Sequence, residues 1–156
     1  MKDFHSGSIQ TKASAKILIL GGISEAKKLA QQLHSSGFSL IYSIQGGVRK
    51  LKADYDVAAG GFSQYSDTDS PKDSSLSGLI NFIRKNQITL LVDATHPYAD
   101  TISNTALETS KRLNIPYLQY TRPPWNKDEL TTAPLFLKVQ ELSSYEQILS
   151  VTQEFN

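Results

Sequence analysis

Cysteine is absent from the 156 residues of this sequence, and neither sign of charge dominates. Without cysteine, a disulfide scaffold, a thiolate zinc site and a cysteine nucleophile are all excluded. The 16 basic and 15 acidic side chains leave a net charge of +1. Because no large electrostatic field results, we expect no nucleic-acid partner and no attraction to an anionic membrane surface.

Long hydrophobic runs are also missing. The apolar run at residues 16–20 has the length of a strand, whereas a transmembrane helix needs roughly 20 apolar residues. Residues 1–15 are polar and lack the apolar middle region of a signal peptide. We interpret residues 1–15 as a disordered tail and expect a cytoplasmic protein with no membrane partner.

Several chemical motifs are missing as well. The three histidines are scattered and form no cluster with acidic residues at ligand spacing, so we expect no metal site. Neither a Gly-x-x-x-x-Gly-Lys-Ser/Thr loop nor a serine nucleophile elbow occurs. These absences exclude a P-loop NTPase and disfavour an α/β-hydrolase.

What the sequence does contain is an alternation of short apolar runs with segments of helical periodicity. This alternation is typical of βαβ units around a parallel sheet that is covered on both faces. We predict one α/β domain over residues 16–141, a Rossmann-like three-layer fold with a mostly parallel sheet of five to six strands. The predicted strands are residues 16–20, 38–44, 56–59, 89–94, 117–121 and 136–139.

Helical periodicity separates these runs. Apolar residues recur at three- and four-residue spacing from Ala26 to Leu33, and Gly37 follows where a helix needs a left-handed end. A second helix is predicted around residues 76–83, and a third over 97–113 with Pro97 in its first turn. The serine-rich residues 63–77 read as a surface loop. Residues 142–156 are predicted to form a helix leading towards a second domain that this chain does not encode.

The first motif with chemical meaning is the sequence from Gly21 to Ala26, which follows an apolar strand and opens a helix. Glycines at such a turn let the backbone approach a phosphate, and the helix N-terminus favours negative charge. Ser24 can cap this helix and contact a ligand. The spacing differs from Gly-x-Gly-x-x-Gly, so a simple tight turn remains the alternative.

The second motif, from Ser43 to Arg49, follows the second predicted strand. In dinucleotide-binding folds an acidic residue there selects NADH, whereas an arginine accommodates the 2′-phosphate of NADPH. No acidic residue stands at the strand end and Arg49 lies near it, which favours NADPH over NADH. An ordinary solvated loop containing Arg49 and Lys50 is the alternative.

The third motif runs from Asp93 to Ala99 and turns from an apolar strand into a helix. Ligands of open α/β sheets bind outside the carboxyl ends of the strands, so Asp93, Thr95, His96 and Tyr98 are expected to face the same crevice as Gly22. His96 can donate, accept or exchange a proton near neutral pH. Asp93 either takes part in the chemistry or braces the turn.

A fourth motif, Arg122-Pro123-Pro124-Trp125, follows the fifth predicted strand. Arg122 can pair with a carboxylate or phosphate, and Trp125 offers a flat apolar face to a tetrapyrrole or nicotinamide ring. A rigid turn with a buried Trp125 is the alternative.

Together the motifs resemble those of one family, the precorrin-6A reductases, which include cobalt-precorrin-6A reductases. The resemblance covers residue 16 to the C-terminus. It rests on Gly21-Gly22-x-Ser24-Glu25-Ala26, Gly60-Gly61-Phe62, Asp93-Ala94-Thr95-His96-Pro97-Tyr98-Ala99 and Arg122-Pro123-Pro124-Trp125. Three features differ from the family pattern: Ile23 replaces a threonine, a glycine-arginine pair appears as Gly46-Gly47-Val48-Arg49, and the polar loop after Phe62 is longer.

The resemblance implies an oxidoreductase of corrin ring (cobalamin) biosynthesis. The enzyme transfers hydride from NADPH or NADH to precorrin-6A or cobalt-precorrin-6A and forms the dihydro product. The family fold implies two Rossmann-like domains with the ligands between them, so a missing C-terminal domain or a partner chain is expected to complete the cleft. The alternative is a non-catalytic nucleotide-binding or redox-sensing module that acts through a partner.

The motifs and the resemblance together give the expected site residues. The expected cofactor-binding residues are Gly21, Gly22, Ile23, Ser24, Glu25, Ser43, Gly46, Arg49, Ala94 and Thr95. The expected catalytic residues are Asp93, Thr95 and His96. The expected substrate-binding residues are His96, Tyr98, Arg122 and Trp125.

Overall fold

A computed structural model gives the fold and describes residues 15–46, 53–120 and 139–142. The strands are β1 (Lys16–Leu20), β2 (Ser39–Ile44), β3 (Asp56–Ala59), β4 (Leu90–Asp93), β5 (Tyr117–Tyr120) and β6 (Val139–Leu142). The helices are α1 (Ser24–Ser35), α2 (Ser74–Asn86) and α3 (Asp100–Leu113), with a short 3₁₀ helix at Phe62–Tyr65.

The six strands form one sheet in the order β3-β2-β1-β4-β5-β6, and each neighbouring pair runs parallel. The chain therefore builds outward from β1 in one direction through β2 and β3, and then returns to place β4 on the other side of β1. This reversal between β1 and β4 is the topological switch point of a Rossmann-like fold. The predicted α/β class is confirmed.

Two hydrophobic clusters cover the two faces of the sheet. Alternate residues of β1 point to opposite faces, so Ile17 and Ile19 contribute to the cluster that contains the apolar residues of α1. Leu18 and Leu20 contribute to the other cluster, which contains apolar residues of α2 and Ala106 of α3. A strand buried on both faces reads as a continuous apolar run, which is why β1 was predictable. The layers are helix, sheet and helix.

The three helices end near residues with positive φ. Gly37, with φ of 90°, follows α1 as the sequence predicts. Gln87 and Asn114 end α2 and α3 with φ of 56° and 53°, in the left-handed region that often terminates helices. Each end turns the chain back towards the next strand.

The segment predicted as a surface loop, residues 63–77, is partly structured. The 3₁₀ helix occupies its start, and α2 already begins at Ser74. The cause is aromatic packing: Phe62 is buried, and its ring centroid lies 5.3 Å from that of Phe82 in α2. The Tyr65 ring centroid lies 5.0 Å from that of Phe82. Two aromatic side chains therefore tie the start of this segment to α2.

Two other predicted boundaries need correction. The third helix begins at Asp100, three residues after Pro97, because Ala99 N–H donates to His96 O in a turn that precedes the helix. The last strand is Val139–Leu142, so Leu142 belongs to the sheet. The predicted tail before Ala15 and the predicted helix after Leu142 lie outside the described residues.

Among the helices in the described ranges, none is long and apolar enough to cross a membrane.

Gly78 of α2 lies against the backbone of the 3₁₀ helix. A Cβ added at Gly78 would stand 1.8 Å from Phe62 O. We expect Gly78→Ala to lower the free energy of unfolding by about 1–3 kcal/mol, because the two elements must separate to admit the methyl group. Urea denaturation of the chain measures this loss.

Gly61→Ala is the matched control for Gly78→Ala. Gly61 has φ of −74°, which any residue adopts, and an added Cβ would lie 3.7 Å from its nearest neighbour, Ser63 Oγ. We expect Gly61→Ala to change the unfolding free energy little. Equal stabilities of the two variants would contradict the close approach at Gly78.

Candidate functional site

A cleft of about 1410 Å³ opens at the carboxyl ends of the central strands, on both sides of the switch point. Ligands of open α/β sheets bind at this position. The lining comes from the β1–α1 turn, the end of β2, the segment after β3, the β4–α3 turn and the first turns of α2 and α3. The lining residues are Leu20, Gly21, Gly22, Ile23, Ser24, Lys27, Tyr42, Ser43, Ile44, Gln45, Gly60, Gly61, Phe62, Ser75, Thr95, His96, Tyr98, Ala99, Thr101, Ile102 and Thr105.

The two glycines of the β1–α1 turn have different reasons to be glycine. A Cβ at Gly21 would lie 2.3 Å from the ring of buried Tyr42, so Gly21 makes room for that side chain. Gly22 is exposed, and a Cβ there would lie 3.4 Å from His96 N. The β1–α1 turn and the β4–α3 turn therefore approach each other closely across the switch point.

The N-terminus of α1 opens into the cleft without a side-chain cap. Its N-cap position is Ile23, which makes no side-chain cap hydrogen bond. The expectation that Ser24 caps the helix is wrong, because Ser24 is already the first helical residue and its hydroxyl donates to Glu25 Oε2 at 3.1 Å. The first N–H groups of a helix have no partner within it and lie at the positive end of the helix dipole. Such an end can hold an anion.

The lining that the structure describes contains no Asp or Glu, and Lys27 is its single Lys or Arg. Lys27 lies in α1, three residues after the helix begins. At the end of β2 the lining residues are Ser43, Ile44 and Gln45, so no carboxylate stands where an acidic residue would select NADH. The described part of the cleft is thus suited to a ligand with negative charge.

Asp93 ends β4 and is buried beneath the cleft, with 2% of its surface exposed. Its Oδ1 accepts hydrogen bonds from Thr95 N at 3.1 Å and Thr95 Oγ1 at 2.7 Å. Its Oδ2 accepts from the hydroxyl of Tyr117 in β5 at 2.7 Å. Both carboxylate oxygens are therefore satisfied, as a buried charge requires. Asp93 does not line the cleft and braces the β4–α3 turn instead.

Tyr117 is held in its protonated form. Burial, followed by the adjacent Asp93 carboxylate, raises the pKa of Tyr117 well above its usual value. A phenol that keeps its proton donates a hydrogen bond to the carboxylate and stabilises the negative charge. The link from Tyr117 through Asp93 to Thr95 therefore joins β5 to the floor of the cleft.

His96 and Tyr98 form an exposed pair at the rim of the cleft. Their ring centroids lie 5.3 Å apart with planes inclined by 32°. His96 Nδ1 accepts a hydrogen bond from Tyr98 N at 3.3 Å, so the neutral ring carries its proton on Nε2. Tyr98 is 88% exposed. An aromatic side chain this exposed beside a cleft offers a flat apolar surface to a ligand or partner.

The structure brings together most of the expected site residues and leaves others apart. Gly21, Gly22, Ile23, Ser24, Ser43, Thr95, His96 and Tyr98 line the cleft. Glu25, Gly46, Asp93 and Ala94 do not line it, although all four lie beside residues that do. Arg49, Arg122 and Trp125 lie outside the described residues.

Sequence reasoning did not assign some lining residues to the site. Lys27 could have been found from its position one turn into the helix that follows the glycines. Gly60 and Gly61 follow β3 as a second glycine pair, and Gly60 has φ of 92°. Ser75, Thr101 and Thr105 carried no local signal, because only the packing of α2 and α3 places them at the cleft.

A metal site has no support in the described ranges, where no three His, Cys, Asp or Glu residues stand close enough to hold an ion.

Comparison with known proteins identifies the family. The family described as "Precorrin-6x reductase CbiJ/CobK" matches residues 16–152 of this chain. The precorrin-6A reductase of Mycobacterium tuberculosis strain H37Rv is 34% identical over 112 residues, which are 71% of this chain and 41% of that protein. The cobalt-precorrin-6A reductase of Priestia megaterium is 26% identical over 133 residues, covering 82% and 48% of the two chains. The chain thus spans less than half the length of these relatives.

Two solved structures are similar to this chain. The structure of CobK precorrin-6A reductase superposes with a TM-score of 0.59 and 25% identity, over 74% of this chain and 40% of that one. A dTDP-glucose 4,6-dehydratase of Bacillus anthracis in complex with NAD has a TM-score of 0.54 and 15% identity, covering 90% and 51% of the two chains. The second likeness shows the Rossmann-like fold alone. With its fold, its β4–α3 motif and the match over residues 16–152, the chain belongs to the precorrin-6x reductase family.

Proposed function

We propose that this chain binds NADPH and supplies the cofactor side of an oxidoreductase that reduces precorrin-6A or cobalt-precorrin-6A in cobalamin biosynthesis. The observation that carries the proposal is the cleft at the switch point, where an uncapped helix N-terminus and the β4–α3 turn meet in a member of this family. This single cleft joins the place where a dinucleotide diphosphate is held to the motif that carries His96.

The residues of the cleft fit a dinucleotide. The diphosphate group is negative, and the first turn of α1 together with Lys27 offers it positive charge. Exposed Gly22 adds no side chain at this position and lets a ligand approach the backbone. Because the described lining contains no carboxylate, no negative side chain there repels the diphosphate. Ser43 and Gln45, at the end of β2, are then expected beside the adenosine ribose.

The proposed substrate is a precorrin-type tetrapyrrole, as the family's description implies. NADPH supplies a hydride, and a proton completes the reduction of one double bond to the dihydro product. His96 is the proposed proton source: its imidazolium form donates the Nε2 proton and becomes the neutral ring, and this form requires that the contact between Nδ1 and Tyr98 N opens. Tyr98 is proposed to contact the macrocycle. Thr95, which Asp93 Oδ1 orients through two hydrogen bonds, is proposed to bind a reactant.

The remaining part of the cleft is proposed to come from protein beyond these residues. The matched relatives are more than twice as long as the segment they share with this chain. A C-terminal domain or a partner chain that closes over Tyr98 would exclude water and hold cofactor and substrate together. Arg122 and Trp125 stay predicted substrate contacts.

Cofactor preference is the first measurement. We expect calorimetric titration of this chain at moderate salt to show NADPH binding about tenfold or more tightly than NADH, because no carboxylate at the end of β2 opposes the 2′-phosphate. Raising the salt concentration should reduce the preference, since it rests on charge. Tighter binding of NADH would contradict the assignment of the ribose site.

Substitution of Gly22 tests the phosphate position. We expect Gly22→Asp to reduce NADPH affinity about 100-fold or more, because the carboxylate would crowd and repel the diphosphate. Gly22→Asn, of equal size and without charge, should weaken binding less. Gly22 does not have a positive φ, so both variants are expected to fold. Unchanged affinity in Gly22→Asp would remove the β1–α1 turn from the binding site.

Substitution of His96 tests the chemical step. The measurement uses a protein that also contains the proposed C-terminal domain. In that protein we expect His96→Ala to lower kcat about 100-fold, because a positioned proton donor is lost, while the Kd of NADPH stays nearly constant. His96→Gln keeps a hydrogen-bond donor of similar size without the proton exchange. Single-turnover reduction and calorimetry provide the two readouts. A normal rate in both variants would leave His96 with a structural role.

A further inference from the structure

The hydroxyl of Thr95 has a defined hydrogen-bond direction. A threonine hydroxyl has one proton to donate and two lone pairs that accept. The backbone N–H of Thr95 can only donate, so the Asp93 Oδ1 that it meets at 3.1 Å is an acceptor. The same Oδ1 lies 2.7 Å from Thr95 Oγ1, and Oδ2 receives the Tyr117 hydroxyl. The only proton of the Thr95 hydroxyl therefore points to Asp93.

The second contact of Thr95 Oγ1 follows from the first. Ser103 Oγ of α3 lies 3.2 Å from Thr95 Oγ1, and either hydroxyl could donate on distance alone. Because the Thr95 proton is already committed to Asp93, Ser103 is the donor of this pair. One lone pair of Thr95 Oγ1 is left, on a half-buried residue that lines the cleft.

We propose that Thr95 presents a hydrogen-bond acceptor, and no donor, to the cleft, and that it binds an N–H or O–H group at the nicotinamide end of the dinucleotide. This inference rests on the proposed cofactor and specifies one contact of it. Thr95 lies after β4, across the switch point from Gly22, so the diphosphate and the nicotinamide end of one dinucleotide can contact the two turns. The ligand donor is either the carboxamide amino group or a ribose hydroxyl.

A pair of cofactors distinguishes these two donors. In the 3-acetylpyridine analogue of NADPH a methyl group replaces the carboxamide amino group, and the carbonyl and both riboses are unchanged. The analogue can therefore still accept at its carbonyl but can no longer donate there. Calorimetric titration of the whole chain with both compounds measures affinity without any need for turnover.

We expect Thr95→Val to bind NADPH about three- to tenfold more weakly than the unmodified chain, the effect of one lost hydrogen bond. If the carboxamide is the donor, the unmodified chain prefers NADPH over the analogue by a similar factor, and Thr95→Val shows no preference. If a ribose hydroxyl is the donor, Thr95→Val weakens both compounds equally. Thr95→Ser, which keeps the hydroxyl, should restore affinity and preference.

Thr89→Val is the matched control. Thr89 precedes β4, at the amino ends of the strands and so at the end of the sheet opposite the cleft, and its hydroxyl accepts from Lys16 N at 3.0 Å. The Thr89→Val variant also loses a threonine hydroxyl, but one that does not line the cleft, so it should bind both compounds as tightly as the unmodified chain. Unchanged affinity of Thr95→Val for both compounds would overturn this inference alone. Failure of the unmodified chain to bind either compound would overturn the proposed cofactor and this contact with it.

Discussion

Parallel pairing of β1 with both β2 and β4 is the constraint on which the rest of the structure depends. Because β1 is central and buried on both faces, the helices that follow β1 and β4 lie on opposite faces of the sheet, and a crevice forms where their two turns meet. The paired register aligns Leu20 with both Ser43 and Asp93, so the three strands end at the same level. The strand order therefore determines where the site lies, and the side chains determine which ligand groups it can bind.

Close approach of backbones then determines which residues the crevice accepts. Gly21 has no side chain, which leaves room for the ring of Tyr42 in the core that contains β2 and α1. Burial, followed by the neighbouring Tyr55, raises the pKa of Tyr42 to about 12, so its hydroxyl stays neutral where it reaches the cleft. Gly22 faces the opposite turn instead. Gly21 thus serves the fold, while Gly22 is proposed to serve the ligand, a division that the Gly-Gly sequence alone does not reveal.

The fold was largely predictable because buried parallel strands and amphipathic helices leave strong periodic signals, and β1 and β3 were predicted at their observed bounds. Local chemistry at the helix starts was harder. Ser24 has the residue type of a cap, yet the turn places Ile23 at that position. The packing of Phe62 and Tyr65 at the start of a serine-rich stretch was not predicted, because their packing partner, Phe82, lies in α2. Contacts between distant segments carry no local pattern.

The polar residues beneath the cleft are linked by hydrogen bonds whose directions are fixed. Tyr117 cannot easily lose its proton, Asp93 accepts hydrogen bonds at both carboxylate oxygens, and Thr95 is proposed to accept from the ligand. An acceptor at Thr95 Oγ1 favours a ligand group that donates, and it disfavours a bare carbonyl or phosphate oxygen, whose lone pairs would face those of Thr95. The opposite side of the switch point, the uncapped end of α1, offers donors and suits an anion. The proposed dinucleotide has both kinds of group, a diphosphate at its centre and donor groups at its nicotinamide end, so the proposed contacts at the two turns together define one orientation of the ligand in the cleft.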